Sequence, residues 1–224
     1  MFGERYAWYY ESFNSDKPCK KCEVNFVYKW AENPKAILDI GCGTAEYWKF
    51  WPDGVVIRGL EKSPYMISKS PFKSRIVEGD IATMGQTRIK TGLGGSKISY
   101  DLVTAIFNVI NYVPTQSWWK ALPLKPGGYF ILDVWDKFKV DKERFSVTSK
   151  NVDGASRKIT PLNYNGKSVD LEIEVCDWNG TFRELHEMYV WSHEELLEFA
   201  GDDFHLVDIK KTKGWQVWYK FQKK

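Results

Sequence analysis

The sequence predicts an α/β protein whose mostly parallel sheet is interrupted, late in the chain, by an antiparallel insertion. Three observations carry this. Short apolar runs at 36–40, 55–60, 75–77, 102–106 and 129–134 alternate with helical patterns, the grammar of parallel strands joined by crossover helices. Residues 143–191 then switch to a period of two, as in Val169-Asp170-Leu171-Glu172-Ile173-Glu174-Val175, with the turn dipeptides Asn165-Gly166 and Asn179-Gly180. Finally, 224 residues with 43% hydrophobic content form a core without staples.

The elements follow in order. Ser15 or Asp16 caps a helix over 15–30, with Pro18 in its first turn and Cys19, Cys22, Phe26, Val27 and Trp30 on one apolar face. The strand at 36–40 runs into a glycine turn and a short helix at 44–50. The next strand, 55–60, ends at Glu61; Ser63 then caps a helix with Pro64 at its first position. After the strand at 75–77, the stretch 82–100 breaks the rhythm with Gly85, Gly92, Gly94 and Gly95 and reads as a mobile loop or weak hairpin. It does not match a phosphate loop, because the G-x-x-x-x-G-K-[ST] spacing is missing. The strand at 102–106 leads to a short helix ending at Pro123. Lys125-Pro126-Gly127-Gly128 reads as a type II turn before the strand at 129–134. Beyond the insertion, Ser192-His193-Glu194-Glu195 forms a capping box for a helix ending near Gly201, and strands at 204–209 and 215–221 close the chain. The expected organisation is a core from 1–142 and 192–224, with 143–191 as the insertion.

Composition narrows the function. Thirty-two Lys and Arg against 29 Asp and Glu give a net charge of +3, too little for a nucleic-acid or membrane field by itself. The basic tail with Trp215 and Trp218 reads as an aromatic strand with a solvated edge, so nucleic acid is not the expected partner. No apolar run spans a membrane, and Met1-Phe2-Gly3-Glu4-Arg5-Tyr6 carries no signal-peptide pattern. Four Cys suit a reducing compartment, and a cytoplasmic protein is expected. Cys19-Lys20-Lys21-Cys22 lacks a second ligand pair and reads as helix core, not zinc; no metal is expected.

The chemistry gathers at Ile37-Leu38-Asp39-Ile40-Gly41-Cys42-Gly43-Thr44-Ala45. A buried strand runs into glycines, which let backbone approach a ligand closely. Asp39 stands two residues before the first glycine. Glu61 ends the next strand, where a carboxylate can accept both hydroxyls of a ribose. Glu78-Gly79-Asp80-Ile81 ends the third, where a carboxylate can accept from an adenine amine while Ile81 packs on the ring. All three acids fall at carboxyl ends of adjacent strands, where open α/β sheets bind ligands.

As an ordered set, Leu38–Thr44, Gly59-Leu60-Glu61-Lys62-Ser63-Pro64-Tyr65-Met66, Glu78-Gly79-Asp80, Asp101-Leu102-Val103-Thr104 and Leu124-Lys125-Pro126-Gly127-Gly128 resemble class I S-adenosylmethionine-dependent methyltransferases over about residues 36–134. Ala45, where many members carry a third glycine, and the insertion at 85–100 depart from the pattern. The resemblance implies a Rossmann-like seven-stranded sheet with its last strand antiparallel. It implies Asp39 and the Gly41, Cys42 and Gly43 backbone near the methionine moiety, Glu61 on the ribose, and Asp80 with Ile81 at the adenine. Lys62, Met66, Phe107 and Tyr10 complete the expected cofactor site, and S-adenosylhomocysteine is the expected product. NAD-binding proteins are the rival; they usually lack an acid at the Asp39 position and the Lys-Pro-Gly-Gly turn.

Within that family the chain is most similar to small-molecule enzymes, particularly those acting on amino-sugar nucleotides. They share a Tyr-rich N-terminal helix (here Tyr6, Tyr9, Tyr10), a loop like Phe107-Asn108-Val109-Ile110-Asn111-Tyr112, and an antiparallel insertion over the site. That loop lacks the Pro-Pro motif of DNA amino-methyltransferases. The expected activity is methyl transfer to nitrogen or oxygen of a small-molecule acceptor by a monomer or homodimer. Asn111 and Tyr112 are expected to face the transferred methyl, with Tyr10 beside the acceptor pocket and His186 above it as a base. An RNA methyltransferase and a non-catalytic cofactor-binding module are the alternatives.

Overall fold

The computed structural model describes residues 2–14, 20–83, 99–114, 117–143, 145–212 and 214–224. Strands β1 (Ala36–Ile40), β2 (Val56–Glu61), β3 (Ile76–Glu78), β4 (Tyr100–Ala105), β5 (Leu124–Trp135), β10 (Phe204–Lys211) and β11 (Gln216–Lys223) form one sheet in the order β10-β11-β5-β4-β1-β2-β3. The pairs among β1 to β5 are parallel, while β11 runs antiparallel to both neighbours. The last strand is therefore the antiparallel one, as expected. A second sheet holds β6 (Thr148–Val152), β7 (Ala155–Leu162), β8 (Ser168–Asp177) and β9 (Gly180–Tyr189) as an antiparallel meander.

Alternation along the central strands divides the core in two. Leu38, Ile40, Val103, Ala105, Phe130, Leu132 and Val134 point to one face, which Trp118 and Trp119 cover. Ile37, Leu102 and Ile131 point to the other, against Val27, Trp48 and Trp218. Burial on both faces explains why these strands read as continuous apolar runs.

Several elements differ from expectation. Helix α1 (Glu4–Phe13) holds Tyr6, Tyr9 and Tyr10, as the resemblance implied, and precedes α2 (Lys20–Trp30); the predicted cap at 15–16, Pro18 and Cys19 lie outside the described residues. Cys22 is exposed, so it is not part of the apolar face; Phe26, Val27 and Trp30 pack there as expected, joined by Ala31, while Val24 is also buried. The short helix at 44–50 is a 3-10 turn over Glu46–Phe50. Lys125-Pro126-Gly127-Gly128 falls within β5, where the pairing jumps from Tyr100–Leu124 to Leu102–Tyr129 and Gly127 takes φ 77°. The turn is thus a bulge in a continuing strand. Helix α4 (Lys137–Glu143) follows β5 and was not foreseen, so the second sheet begins only at Thr148. Residues 84–98 of the glycine-rich stretch lie outside the described residues.

The capping box of α5 (His193–Ala200) is formed: Glu195 N–H donates to Ser192 Oγ at 3.2 Å, and Ser192 N–H to Glu195 Oε2 at 2.7 Å. A short helix α3 (Pro64–Lys69) starts on Ser63 with Pro64 in its first turn, as read. The second sheet packs on α1: Tyr6 and Phe13 are buried against Ala155, Ile173 and Val175. Arg157 donates to the Tyr6 hydroxyl at 3.0 Å and lies 5.0 Å from the Phe13 ring centre. Among the described residues, no helix is long and apolar enough to cross a membrane.

Candidate functional site

A cavity of about 620 Å³ opens at the carboxyl ends of β1, β2 and β4, roofed by α1 and by the second sheet. The glycine turn forms its floor. Gly41 takes φ 64° and Gly43 φ 56°, a region that favours glycine. Gly41 N–H and Cys42 N–H both donate to the Leu60 carbonyl, at 2.7 and 3.3 Å, which stitches the turn to β2. Ala45 also takes φ 56° and ψ 26°. That conformation costs a residue with a Cβ about 1–2 kcal/mol.

Glu61 ends β2 nearly buried. Its Oε2 accepts from Gly43 N–H at 2.9 Å and its Oε1 from Ser63 N–H at 2.8 Å. Burial raises its pKa above the usual range against these hydrogen bonds. Ser63 Oγ accepts from Met66 N–H at 3.3 Å and donates to the Phe2 carbonyl at 2.8 Å, so the cap of α3 also holds the N-terminal segment. At the end of β3, Asp80 accepts from Lys62 at 2.6 Å and from Ala82 N–H at 2.9 Å. Partial burial raises its carboxyl pKa, but these partners outweigh it and hold it below the usual range.

Gly41, Cys42, Gly43, Glu61, Lys62, Met66, Asp80, Ile81, Phe107 and Tyr10 all line this one cavity, and so do Tyr112 and His186. Two expected residues do not. Asp39 is buried below the turn, its carboxylate accepting from Trp48 Nε1 and Thr104 Oγ1, each at 2.8 Å. It supports the turn from beneath. Asn111 is fully buried and donates through Nδ2 to the Tyr189 carbonyl, so it ties β9 to the core and does not face the cavity.

Burial pushes the Asp39 carboxyl up to about 6, against the hydrogen bonds from Trp48 and Thr104. The folded protein therefore keeps this proton to higher pH than the unfolded chain, whose value is near 3.8. The group's contribution to stability is full below that window and is lost as pH rises through it. A displacement of this size corresponds to about 2–3 kcal/mol. The stability advantage of wild type over Asp39→Asn is expected to shrink by that amount between pH 4 and pH 7, measured by denaturant unfolding. A difference that stays constant with pH would contradict the assignment.

Phe107 and Asn108 take φ 66° and 58°, unusual for two successive residues that are not glycine. Asn108 N–H donates to the Asp133 carboxylate at 3.2 Å, and the Phe107 ring sits 4.4 Å from that of Tyr47. Such strain, about 1–3 kcal/mol per residue, persists where surrounding structure holds a site in place. Asn108 Oδ1 is buried in the cavity wall without a hydrogen-bond partner among the described residues. Burial raises the Tyr112 hydroxyl well above its ordinary value and raises Tyr10 in the same way.

Several site residues escaped sequence reasoning. Glu11 accepts from Thr44 Oγ1 and pairs with Lys20 at 2.7 Å, clamping α1 to the glycine turn. Phe2 packs 4.8 Å from His186 and 6.0 Å from Tyr112, ring centre to ring centre. Arg157 enters from β7, where residues of its parity share the inner face of the second sheet with Ile173 and His186. That alternation was legible; its direction toward the cavity was not.

No protein-family profile matches the chain. A provisionally named methyltransferase of Geobacillus sp. (strain WCH70) is 27% identical over 153 residues, covering 63% of this chain and 60% of that protein. The chain thus spans under two thirds of that relative. Solved methyltransferase structures share the fold, among them the following two. An S-adenosylmethionine-dependent methyltransferase from Clostridium acetobutylicum ATCC 824 superposes with a TM-score of 0.75 at 17% identity, covering 97% of each chain. CalS10 of Micromonospora echinaspora, an amino pentose methyltransferase solved with S-adenosylmethionine bound, gives 0.70 at 18% identity over 100% of this chain and 98% of that one. The fold is that of these enzymes, with the second sheet included in the match.

Proposed function

We propose that this protein transfers the methyl group of S-adenosylmethionine to a nitrogen or oxygen of a small molecule, with an amino sugar or its nucleotide as the first class to try. One observation carries the reading: Glu61 and Asp80, at the ends of adjacent parallel strands, border the same cavity as a glycine turn in which a Cβ on Gly41 would stand 2.6 Å from Val109. The residues suit the cofactor. Glu61 is placed for a ribose diol, Asp80 and Ile81 for adenine, and the orphaned Asn108 Oδ1 can accept from an ammonium group. When bound, S-adenosylmethionine supplies a methyl group already activated on sulfonium, so alignment and exclusion of water are the protein's main tasks. The roof of α1 and the second sheet serves both. Tyr112 and His186 lie in the wall toward the second sheet, where we place the acceptor. The amino pentose methyltransferase with the same fold supports a sugar acceptor.

Calorimetric titration with S-adenosylhomocysteine, with NADH as control, tests the reading. Micromolar binding of the former alone is expected. Glu61→Ala removes two charge-assisted hydrogen bonds to the diol and is expected to weaken binding at least about 100-fold. Binding of NADH instead would overturn the proposal.

A further inference from the structure

Resting on that reading, we infer that Glu184 is a positioning residue that holds His186 as a proton acceptor for the methyl acceptor, and that the N-terminal Phe2-Gly3 segment completes the arrangement. The chemistry starts on β9, where Glu184 and His186 share the inward face of the second sheet. His186 is nearly buried, and its Nε2 lies 3.0 Å from Glu184 Oε2. A carboxylate only accepts, so Nε2 carries the hydrogen and, in the neutral ring, Nδ1 carries the lone pair. Nδ1 is buried with no hydrogen-bond partner among the described residues, while the ring forms part of the cavity wall. A buried unpartnered nitrogen is costly, and an N–H or O–H of the acceptor supplies what it lacks.

Glu184 is itself held. Its Oε1 accepts from Gly3 N–H at 2.9 Å. The approach is so close that a Cβ on Gly3 would stand 2.7 Å from that oxygen. Phe2 is anchored at the other end, its carbonyl accepting from Ser63 beside Glu61, while its ring packs on His186. One short segment therefore joins the cofactor end of the cavity to the proton acceptor.

The proton balance identifies the acceptor class as a nucleophile that arrives with a hydrogen: a primary or secondary amine, or a hydroxyl. Its lone pair forms the new bond to the methyl carbon, and its proton passes to His186 Nδ1. The electron pair of the broken carbon–sulfur bond remains on sulfur as a neutral thioether. Glu184 stabilises the imidazolium so formed, as an orienting carboxylate does beside other histidine bases.

The test uses the full-length, nitrogen-15-labelled protein and long-range imidazole correlation spectra, with His186→Gln assigning the signals. His186 is expected in the single Nε2–H tautomer. Glu184→Gln presents an amide NH2 to either Gly3 N–H or His186 Nε2–H, so that tautomer is expected to lose its dominance, and Gly3→Ala is expected to move the same signals. S-adenosylhomocysteine binding in Glu184→Gln should stay within about threefold of wild type, since the cofactor residues are untouched. With radiolabelled S-adenosylmethionine and a panel of amines and sugars, kcat for Glu184→Gln should fall about 10- to 100-fold with KM little changed. A His186 signal in the Nδ1–H form, or one indifferent to Glu184→Gln, overturns the inference. Failure of wild type to bind S-adenosylhomocysteine would instead overturn the function on which it rests, leaving the tautomer result standing.

Discussion

Trp119→Ala is expected to destabilise the protein by about 3–5 kcal/mol, among the largest costs of any single truncation. Trp119 lies in the short turn Ser117–Ala121 and is fully buried on the face of the sheet away from α2. Its ring meets Phe130 edge-on at 4.9 Å, Phe221 at 5.2 Å and Phe204 at 6.0 Å between ring centres. These partners come from β5, β11 and the start of β10, so the indole fastens three strands at once. Alanine leaves a cavity that rigid strands cannot collapse to fill. The indole Nε1 has no hydrogen-bond partner among the described residues. Trp119→Phe removes that orphan donor along with some volume, so it is expected to cost less than about 2 kcal/mol. Denaturant unfolding of both variants checks this. Equal losses for phenylalanine and alanine would show that the indole N–H is satisfied in solution.

Gly41→Ala is expected to reduce affinity for S-adenosylhomocysteine by about 30- to 1,000-fold. Two effects add. The left-handed backbone at φ 64° costs a residue with a Cβ about 1–2 kcal/mol. The added Cβ would also stand 2.6 and 2.7 Å from the two methyl groups of Val109. Val109 follows the strained Phe107-Asn108 pair, which Asp133 holds, so it yields only by disturbing the opposite wall of the cavity. Together these amount to about 2–4 kcal/mol, which converts to the stated loss if binding must restore the native turn. Adding Val109→Ala to Gly41→Ala is expected to recover the steric part and leave the backbone part. Calorimetry on the single and double variants separates the two. No recovery in the double variant would mean that backbone conformation alone accounts for the loss.

Much of the side of this cavity built by the glycine turn and the strand ends was legible. Gly41, Gly43, Glu61 and Asp80 lie at the carboxyl ends of successive parallel strands, and local pattern is enough to locate a strand end. The capping box at Ser192 and Glu195 was legible because both partners lie within one helical turn. Asp39 shows where such reasoning stops. Its position at the end of β1 was right, but Trp48 and Thr104 claim its carboxylate, and Thr104 is 65 residues away. Asn111 likewise sits beside Tyr112 in sequence, yet its side chain turns to the Tyr189 carbonyl, 78 residues on. A 3-10 turn sends neighbouring side chains in different directions, and residue type does not reveal which one meets the cavity.

Apart from the antiparallel last strand, which only the family resemblance implied, and helix α4, which was not foreseen, the sequence by itself determined the alternating strands and helices of the parallel core, the two-residue rhythm of the insertion and the glycine turn with acids at the next strand ends. Each of these depends on interactions within a few residues: periodicity, caps and backbone conformations open to glycine. Only the tertiary structure decided which face of the insertion meets the cavity and how Gly3, Glu184 and His186 come together across 181 residues of chain. It also decided that Phe2 would join Ser63 to that group. Those contacts exist because two sheets and one helix pack against each other, and packing is set by all the buried surfaces together, not by any local stretch of sequence.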